Sequence, residues 1–255
     1  MRVIRVAAAM VLSSCVTPTV TVGRSDYKDR CAAYLNLGEL DKAELQCQVE
    51  REFNEADPEV LNNLGIVEYR RGKLNASKKF FIRALRLNND MAQAYVNLGV
   101  VALDQNDLPT ARDRFLQALR INPEYAEARH DLGLAYMGMN QLPHAEKTFL
   151  MLVATAPQLS QGYANVGSVM LLTARPKEAV AWFEKAIDLE QGYPEAWRGK
   201  GAALLALGQD QDQGVQSAKP RHGPGVRHFG CERVWGQRKL TDVFGPQLSG
   251  TGDGA

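Results

Sequence analysis

The chain has 255 residues, of which 45% are hydrophobic, and its 30 Lys and Arg residues nearly balance its 29 Asp and Glu residues, giving a formal net charge of +1. A nucleic-acid-binding protein normally carries a basic stripe or patch. No such stripe is visible here, so nucleic acid is excluded as the main partner. The hydrophobic content is sufficient to bury a substantial core.

The first fifteen residues predict export. Two arginines in residues 1–5 precede the apolar run Val6–Leu12, which is too short to span a bilayer of about 30 Å as a helix. A signal peptide over residues 1–14 fits this pattern better than a transmembrane anchor. The residues Leu12-Ser13-Ser14-Cys15 resemble a bacterial lipobox, which implies cleavage before Cys15 and its acylation. An ordinary secretory signal with an incidental cysteine is the alternative.

Several acyl chains on one residue would make a permanent membrane anchor. The residue after the cysteine is Val16 rather than the aspartate that, by resemblance to Gram-negative sorting, favours retention in the inner membrane. The expected location is therefore the outer membrane of a Gram-negative bacterium, facing the periplasm. Residues 15–23 would then be the lipidated cysteine and a short tether.

A strict repeat begins after the tether. Glycines recur every 34 residues, a period typical of helix–turn–helix units that stack into a solenoid. These glycines are Gly65, Gly99, Gly133, Gly167 and Gly201. The phase predicts units at 24–57, 58–91, 92–125, 126–159 and 160–193, with a partial unit at 194–208.

Other residues keep the same phase. A small residue follows each of the first four glycines by twelve positions and a phenylalanine by sixteen, which allows two helices to approach to about 8–10 Å while the ring fills the space beside them. The phenylalanines are Phe81, Phe115, Phe149 and Phe183. The pattern resembles the tetratricopeptide repeat (TPR) family, whose signature is matched by Leu98, Gly99, Ala111, Phe115, Ala118, Leu119 and Pro123. The expected fold is an all-α TPR superhelical solenoid of about six units, the last incomplete.

The first unit departs from the pattern and carries two cysteines. Cys31 lies on its first predicted helix and Cys47 on its second, each about eight residues from the turn near Glu39. Antiparallel packing would place them at one level, so we predict a disulfide, which an oxidising compartment permits. Two buried free thiols are the alternative.

In TPR solenoids the first helices of the units line a concave face, and two sets of residues are candidates for it. A polar set lies two positions before each glycine and includes Asn63, Asn97, Asp131 and Asn165. An apolar set lies one or four positions after it and includes Ile66, Tyr69, Val100, Leu103, Leu134, Met137 and Leu171. Together they predict a groove that binds an apolar or amphipathic segment.

Two alternatives apply to these residues. The polar side chains could instead bond neighbouring helix termini or water. Tyr69, Leu103 and Met137 could be covered by adjacent helices.

Residues 209–255 lose the repeat pattern. They hold 9 of the 22 glycines and are predicted to be a disordered low-complexity tail, a composition also typical of an out-of-frame reading. His222, His228 and Cys231 could be metal ligands or a minimal enzyme site, but their spacing is a weak signal. No catalytic or phosphate-binding motif is present, so we expect a protein that is not an enzyme and has no cofactor.

A lipobox followed by a short tether and about six TPR units resembles the pilotin lipoproteins of type IV pilus systems, known as Tgl, PilF and PilW. The resemblance implies an outer-membrane lipoprotein that helps the secretin PilQ to assemble and so permits pilus-dependent social gliding motility. Another envelope TPR lipoprotein, acting in β-barrel assembly or in regulation of a peptidoglycan synthase, is the alternative.

Overall fold

The computed structural model describes residues 24–208, and its side chains from residue 30 onward. The signal peptide, Cys15, the tether and the tail with His222, His228 and Cys231 lie outside the described residues. Within them the chain forms α-helices and no strands, which confirms the predicted all-α fold. The helices are α1 (Arg24–Leu37), α2 (Leu40–Phe53), α3 (Pro58–Arg70), α4 (Leu74–Leu87), α5 (Ala92–Asp104), α6 (Leu108–Ile121), α7 (Ala126–Gly138), α8 (Leu142–Thr155), α9 (Ser160–Leu172), α10 (Pro176–Leu189) and α11 (Pro194–Ala206).

The helices are arranged as a stack of hairpins. Each odd-numbered helix from α1 to α9 pairs with the next helix after a two-residue or three-residue turn, and the first helices start at residues 24, 58, 92, 126, 160 and 194. Close backbone contacts also join α1 to α3, α3 to α5, α5 to α7 and α9 to α11. The odd-numbered helices therefore lie on one side of the stack, which we call the inner face, and the even-numbered helices are the outer helices.

The repeating glycine is required by a close approach inside each hairpin. A Cβ added to Gly65, Gly99 or Gly133 would lie 2.4 Å from a ring carbon of the phenylalanine sixteen residues later. Those rings have no more than 1% of their surface exposed. Any side chain at the glycine would therefore push the ring out of the core.

The turns between paired helices repeat with the same period. One residue per turn has a positive φ, between 56° and 78°, and bonds between backbone groups close the end of the preceding helix in the Schellman pattern. These residues are Gly38, Gly72, Asn106, Asn140 and Ala174, and Gly208 has the same positive φ after α11. Glycine and asparagine tolerate this conformation, whereas Ala174 does not do so readily.

The first unit closes its hairpin covalently. Cys31 and Cys47 form a disulfide with their Cα atoms 5.3 Å apart. Cys31 stands where the later units have the glycine, and Cys47 where they have the phenylalanine. The disulfide thus replaces the glycine–phenylalanine contact, and ion pairs from Arg71 to Asp41 and Glu44 join this unit to the next.

Candidate partner-binding surface on the inner face

The predicted groove residues all lie on the inner helices α3, α5, α7 and α9. Most are half-buried, so part of each side chain is accessible from the inner face. These half-buried residues are Asn63, Ile66, Tyr69, Asn97, Val100, Leu134, Met137, Asn165 and Leu171. Both the apolar and the polar sets therefore contribute to an accessible surface.

Leu103 is an exception and corrects the prediction. Only 8% of its surface is exposed, because it packs in the cluster that includes Val96 and Phe115. It contributes to the core of the solenoid rather than to an open groove. The apolar set four positions after the glycine is therefore interrupted on α5.

Part of the polar set is used to join neighbouring units. Asn97 Nδ2 donates to Asn62 Oδ1 at 2.8 Å, and Asn97 Oδ1 accepts from Gln93 Nε2 at 3.3 Å. The Tyr125 hydroxyl donates to Gln93 Oε1. A chain of hydrogen bonds thus runs from α3 across α5 to the start of α7. Asn97 thus bonds the side chains of Asn62 and Gln93 rather than the helix termini considered as an alternative.

The polar residues of α7 are acidic and closely spaced. Asp131 is buried, with 9% of its surface exposed, and its Oδ1 lies 3.0 Å from His130 Nδ1. Glu127 lies one turn earlier. Desolvation and then the charge of Asp131 raise the pKa of Glu127, while His130 lowers it. Glu127 is nevertheless exposed to water, as expected for a carboxylate on a concave face that neighbouring helices surround.

The same charges act on Tyr125 at the start of α7. Desolvation, with smaller contributions from Glu127 and Asp131, raises the pKa of Tyr125 to about 12. The phenol therefore stays protonated even near pH 10, where an ordinary tyrosine is half ionised, and remains a hydrogen-bond donor to Gln93.

Asn165 on α9 differs from its counterpart Asn97. Its Nδ2 is buried and has no hydrogen-bond partner. Asn97 finds its acceptor 35 residues earlier, at Asn62. The residue 35 positions before Asn165 is His130, whose Nδ1 is directed to Asp131 instead. A buried amide nitrogen without an acceptor is unfavourable, so it marks a place where a bound group can complete the bonding.

The sequence analysis did not predict that four further polar residues belong to the inner face, namely Gln93, Tyr125, Glu127 and His130. A periodic signal for part of it was present, since Glu or Gln recurs six positions before each glycine. That set is Glu59, Gln93, Glu127, Gln161 and Glu195. Which of them meet a neighbour could be decided only in the folded chain.

No cluster of metal-ligating side chains occurs within residues 24–208. In the same part of the chain, no helix combines the length and apolar character needed to cross a membrane. The inner face offers hydrogen-bonding, apolar and acidic groups, which suits binding rather than bond chemistry.

Comparisons with known proteins agree with this architecture. Two models of the tetratricopeptide repeat family match residues 57–124 and 102–165. No curated protein sequence matches the chain.

Solved structures show the same fold. PilF of Pseudomonas aeruginosa superposes with a TM-score of 0.69 at 15% identity, covering 76% of this chain and 88% of that one. PilW, described as a widely conserved type IV pilus biogenesis factor, gives a TM-score of 0.67 at 16% identity, with 76% and 88% covered. YrrB, a TPR protein with an unusual peptide-binding site, gives 0.56 at 20% identity, with 68% and 90% covered.

Identities this low establish the shared fold alone. Residues 57–165 match the tetratricopeptide repeat family, and the same helical-hairpin architecture continues through the rest of residues 24–208.

Proposed function

We propose that the protein is a non-enzymatic assembly factor whose inner face binds an apolar or amphipathic segment of a partner protein. The observation that carries this proposal is the row of half-buried apolar side chains one position after the glycine, Ile66, Val100 and Leu134. They lie on three successive inner helices and adjoin amide side chains. Apolar groups can supply affinity to a bound segment, and amides can bond its backbone.

The partner in this proposal is a secretin of the PilQ type, and the protein acts as an outer-membrane pilotin. Two features support this. The lipobox ending at Cys15 fits a lipid-anchored envelope protein. The fold is shared with PilF and with the pilus biogenesis factor PilW over about three quarters of the chain.

The proposed mechanism depends on the binding energy of the groove and on the location of the protein at the membrane. Acyl chains on Cys15 would hold the solenoid at the membrane and raise its effective concentration near newly exported secretin subunits. The groove would cover an aggregation-prone apolar or strand-edge segment until oligomerisation buries it. Pilus-dependent gliding would follow from the assembled channel.

The test compares variants in the native bacterium. Cys15→Ala should leave folded repeats but mislocalise them, and it should reduce SDS-resistant secretin multimers. The double variant Ile66→Thr with Val100→Thr keeps side-chain shape approximately while making the inner face polar, and should reduce multimers without mislocalisation.

The control introduces threonine sixteen residues later, with Ile82→Thr and Leu116→Thr on the outer helices. Melting temperatures of the purified variants show whether each is folded. Normal multimer levels in a strain that lacks the whole protein would refute the pilotin role. Crosslinking to a β-barrel assembly protein or a cell-wall enzyme, in place of a secretin, would favour the other envelope roles.

A further inference from the structure

The inner side of α7 carries two carboxylates for which the described residues show no ion pair with a lysine or arginine. Glu127 and Asp131 are one helical turn apart, and the interaction that the structure shows for Asp131 is with His130. Like charges at this spacing repel each other. A cation supplied from outside would relieve that repulsion. Desolvation, and then the charge of Asp131, raise the pKa of Glu127.

An independent observation on the facing helix points to the same place. Asn165 Nδ2 is buried and unbonded, and the equivalent amide of Asn97 is directed at the preceding inner helix. By this equivalence Asn165 faces α7 near His130. The missing partner of an amide N–H is an oxygen acceptor, such as a peptide carbonyl.

The backbones of α7 and α9 approach each other less closely than those of the other pairs of successive inner helices. We call the space lined by Glu127, His130, Asp131 and Asn165 the α7/α9 crevice. Half-buried Leu134 and Met137 continue along α7 from the acidic pair.

We propose that the α7/α9 crevice binds a lysine or arginine side chain of the segment held along the inner face, an inference that rests on the function proposed above. The cationic head pairs with the carboxylates of Glu127 and Asp131. The aliphatic stem packs on the apolar side chains of α7, as lysine and arginine stems do on apolar surfaces. Asn165 Nδ2 donates to a backbone carbonyl of the same segment. The partner is therefore an apolar segment that contains a basic residue.

In the experiment, peptides from a displayed library of random 12-residue sequences are selected for binding to each of three purified full-length proteins. These are the wild type, the double variant Glu127→Gln with Asp131→Asn, and a matched control, Glu184→Gln with Asp188→Asn. The control removes the same two charges at the same spacing from the outer helix α10, where both side chains are exposed. The Asn introduced at position 131 keeps an acceptor for His130.

Wild type and control should enrich apolar peptides with a lysine or arginine, and the α7 double variant should lose that preference. A selected peptide should bind the α7 variant about fivefold more weakly than the control, as expected for two partly exposed ion pairs. The difference should shrink at high salt.

A second variant tests the amide. Asn165→Leu should weaken binding of the selected peptide while leaving the melting temperature unchanged, because it removes no hydrogen bond from the free protein. Asn97→Leu should lower the melting temperature, since Asn97 bonds Asn62 and Gln93. Unchanged peptide affinity in Asn165→Leu would overturn the role of the amide.

The outcomes separate the two proposals. Apolar peptides selected without a basic preference, or a basic preference that persists in the α7 variant, would overturn the crevice and leave the groove standing. Failure of the wild type to enrich any peptide would count against the groove itself, and the crevice with it.

Discussion

At the scale of single residues, the units after the first depend on a glycine that leaves space for a phenylalanine ring. The glycines Gly65, Gly99 and Gly133 have a phenylalanine ring where a Cβ would stand. Gly199 on α11 meets Phe183 in the same way, at 2.2 Å for an added Cβ. Gly199 stands two positions before Gly201, where the earlier units have a residue of the polar set. The contact explains this change, because a side chain at Gly199 would collide with the ring of the preceding unit.

Gly133→Ala should therefore destabilise the protein. The added methyl would lie 2.4 Å from the Phe149 ring, which is fully buried and cannot move without disturbing its neighbours. Overpacking of this kind costs about 1–3 kcal/mol, measurable by urea unfolding. Gly192→Ala is the control, since an added Cβ there has no atom within 4 Å. Equal effects of the two substitutions would contradict the close-contact explanation.

At the scale of the helical hairpin, the turn is set by one left-handed residue. Four of the five turns between paired helices place Gly or Asn there, and the fifth places Ala174, with φ of 56°. The turn remains closed because Arg175 N donates to Met170 O at 2.8 Å, as in the other units. The hydrogen bonds of the turn thus hold Ala174 in a conformation that is unfavourable for alanine.

Ala174→Gly should stabilise the protein by about 1 kcal/mol, because an L-residue in this region is strained by about 1–2 kcal/mol and glycine is not. Thermal unfolding would show this as a raised melting temperature. The same change at Ala154, which is exposed on the regular helix α8, should instead cost about 1 kcal/mol. A loss of stability in Ala174→Gly would show that the turn conformation is not the source of strain.

At the scale of the whole molecule, stability is distributed along the stack. The buried residues form separate clusters along the chain, and each unit contacts its neighbours. In such a solenoid, stability is approximately a sum over units and interfaces, so an end unit has fewer stabilising contacts than an internal one. The disulfide lies in the first unit, where the glycine–phenylalanine contact is absent.

Removing the disulfide should therefore loosen the first unit alone. In Cys31→Ser with Cys47→Ser, hydrogen-exchange protection of α1 and α2 should fall by about 3 kcal/mol, the value expected for a loop of this length, while α7 to α11 keep theirs. Cys31→Gly with Cys47→Phe should restore part of the protection by installing the contact of the other units. A uniform loss over all helices would contradict the nearest-neighbour description.

The sequence by itself determined the repeat, its phase and the residues that make each hairpin. These depend on contacts within about 34 residues that recur in every unit, so each repetition strengthens the same signal. It also placed Cys31 and Cys47 at one level and placed the candidate groove residues on the inner helices. The left-handed turn residues carried the same period and could have been predicted too.

Only the tertiary structure decided how each inner-face residue is used. Asn97 and Asn165 are equivalent in sequence, but Asn97 Nδ2 bonds Asn62 whereas Asn165 Nδ2 is buried without a hydrogen-bond partner. Leu103 is buried while Met137, its equivalent, is half-buried. Such differences depend on which side chains meet across adjacent units and on how closely their helices approach, and a periodic pattern within one unit does not contain that information.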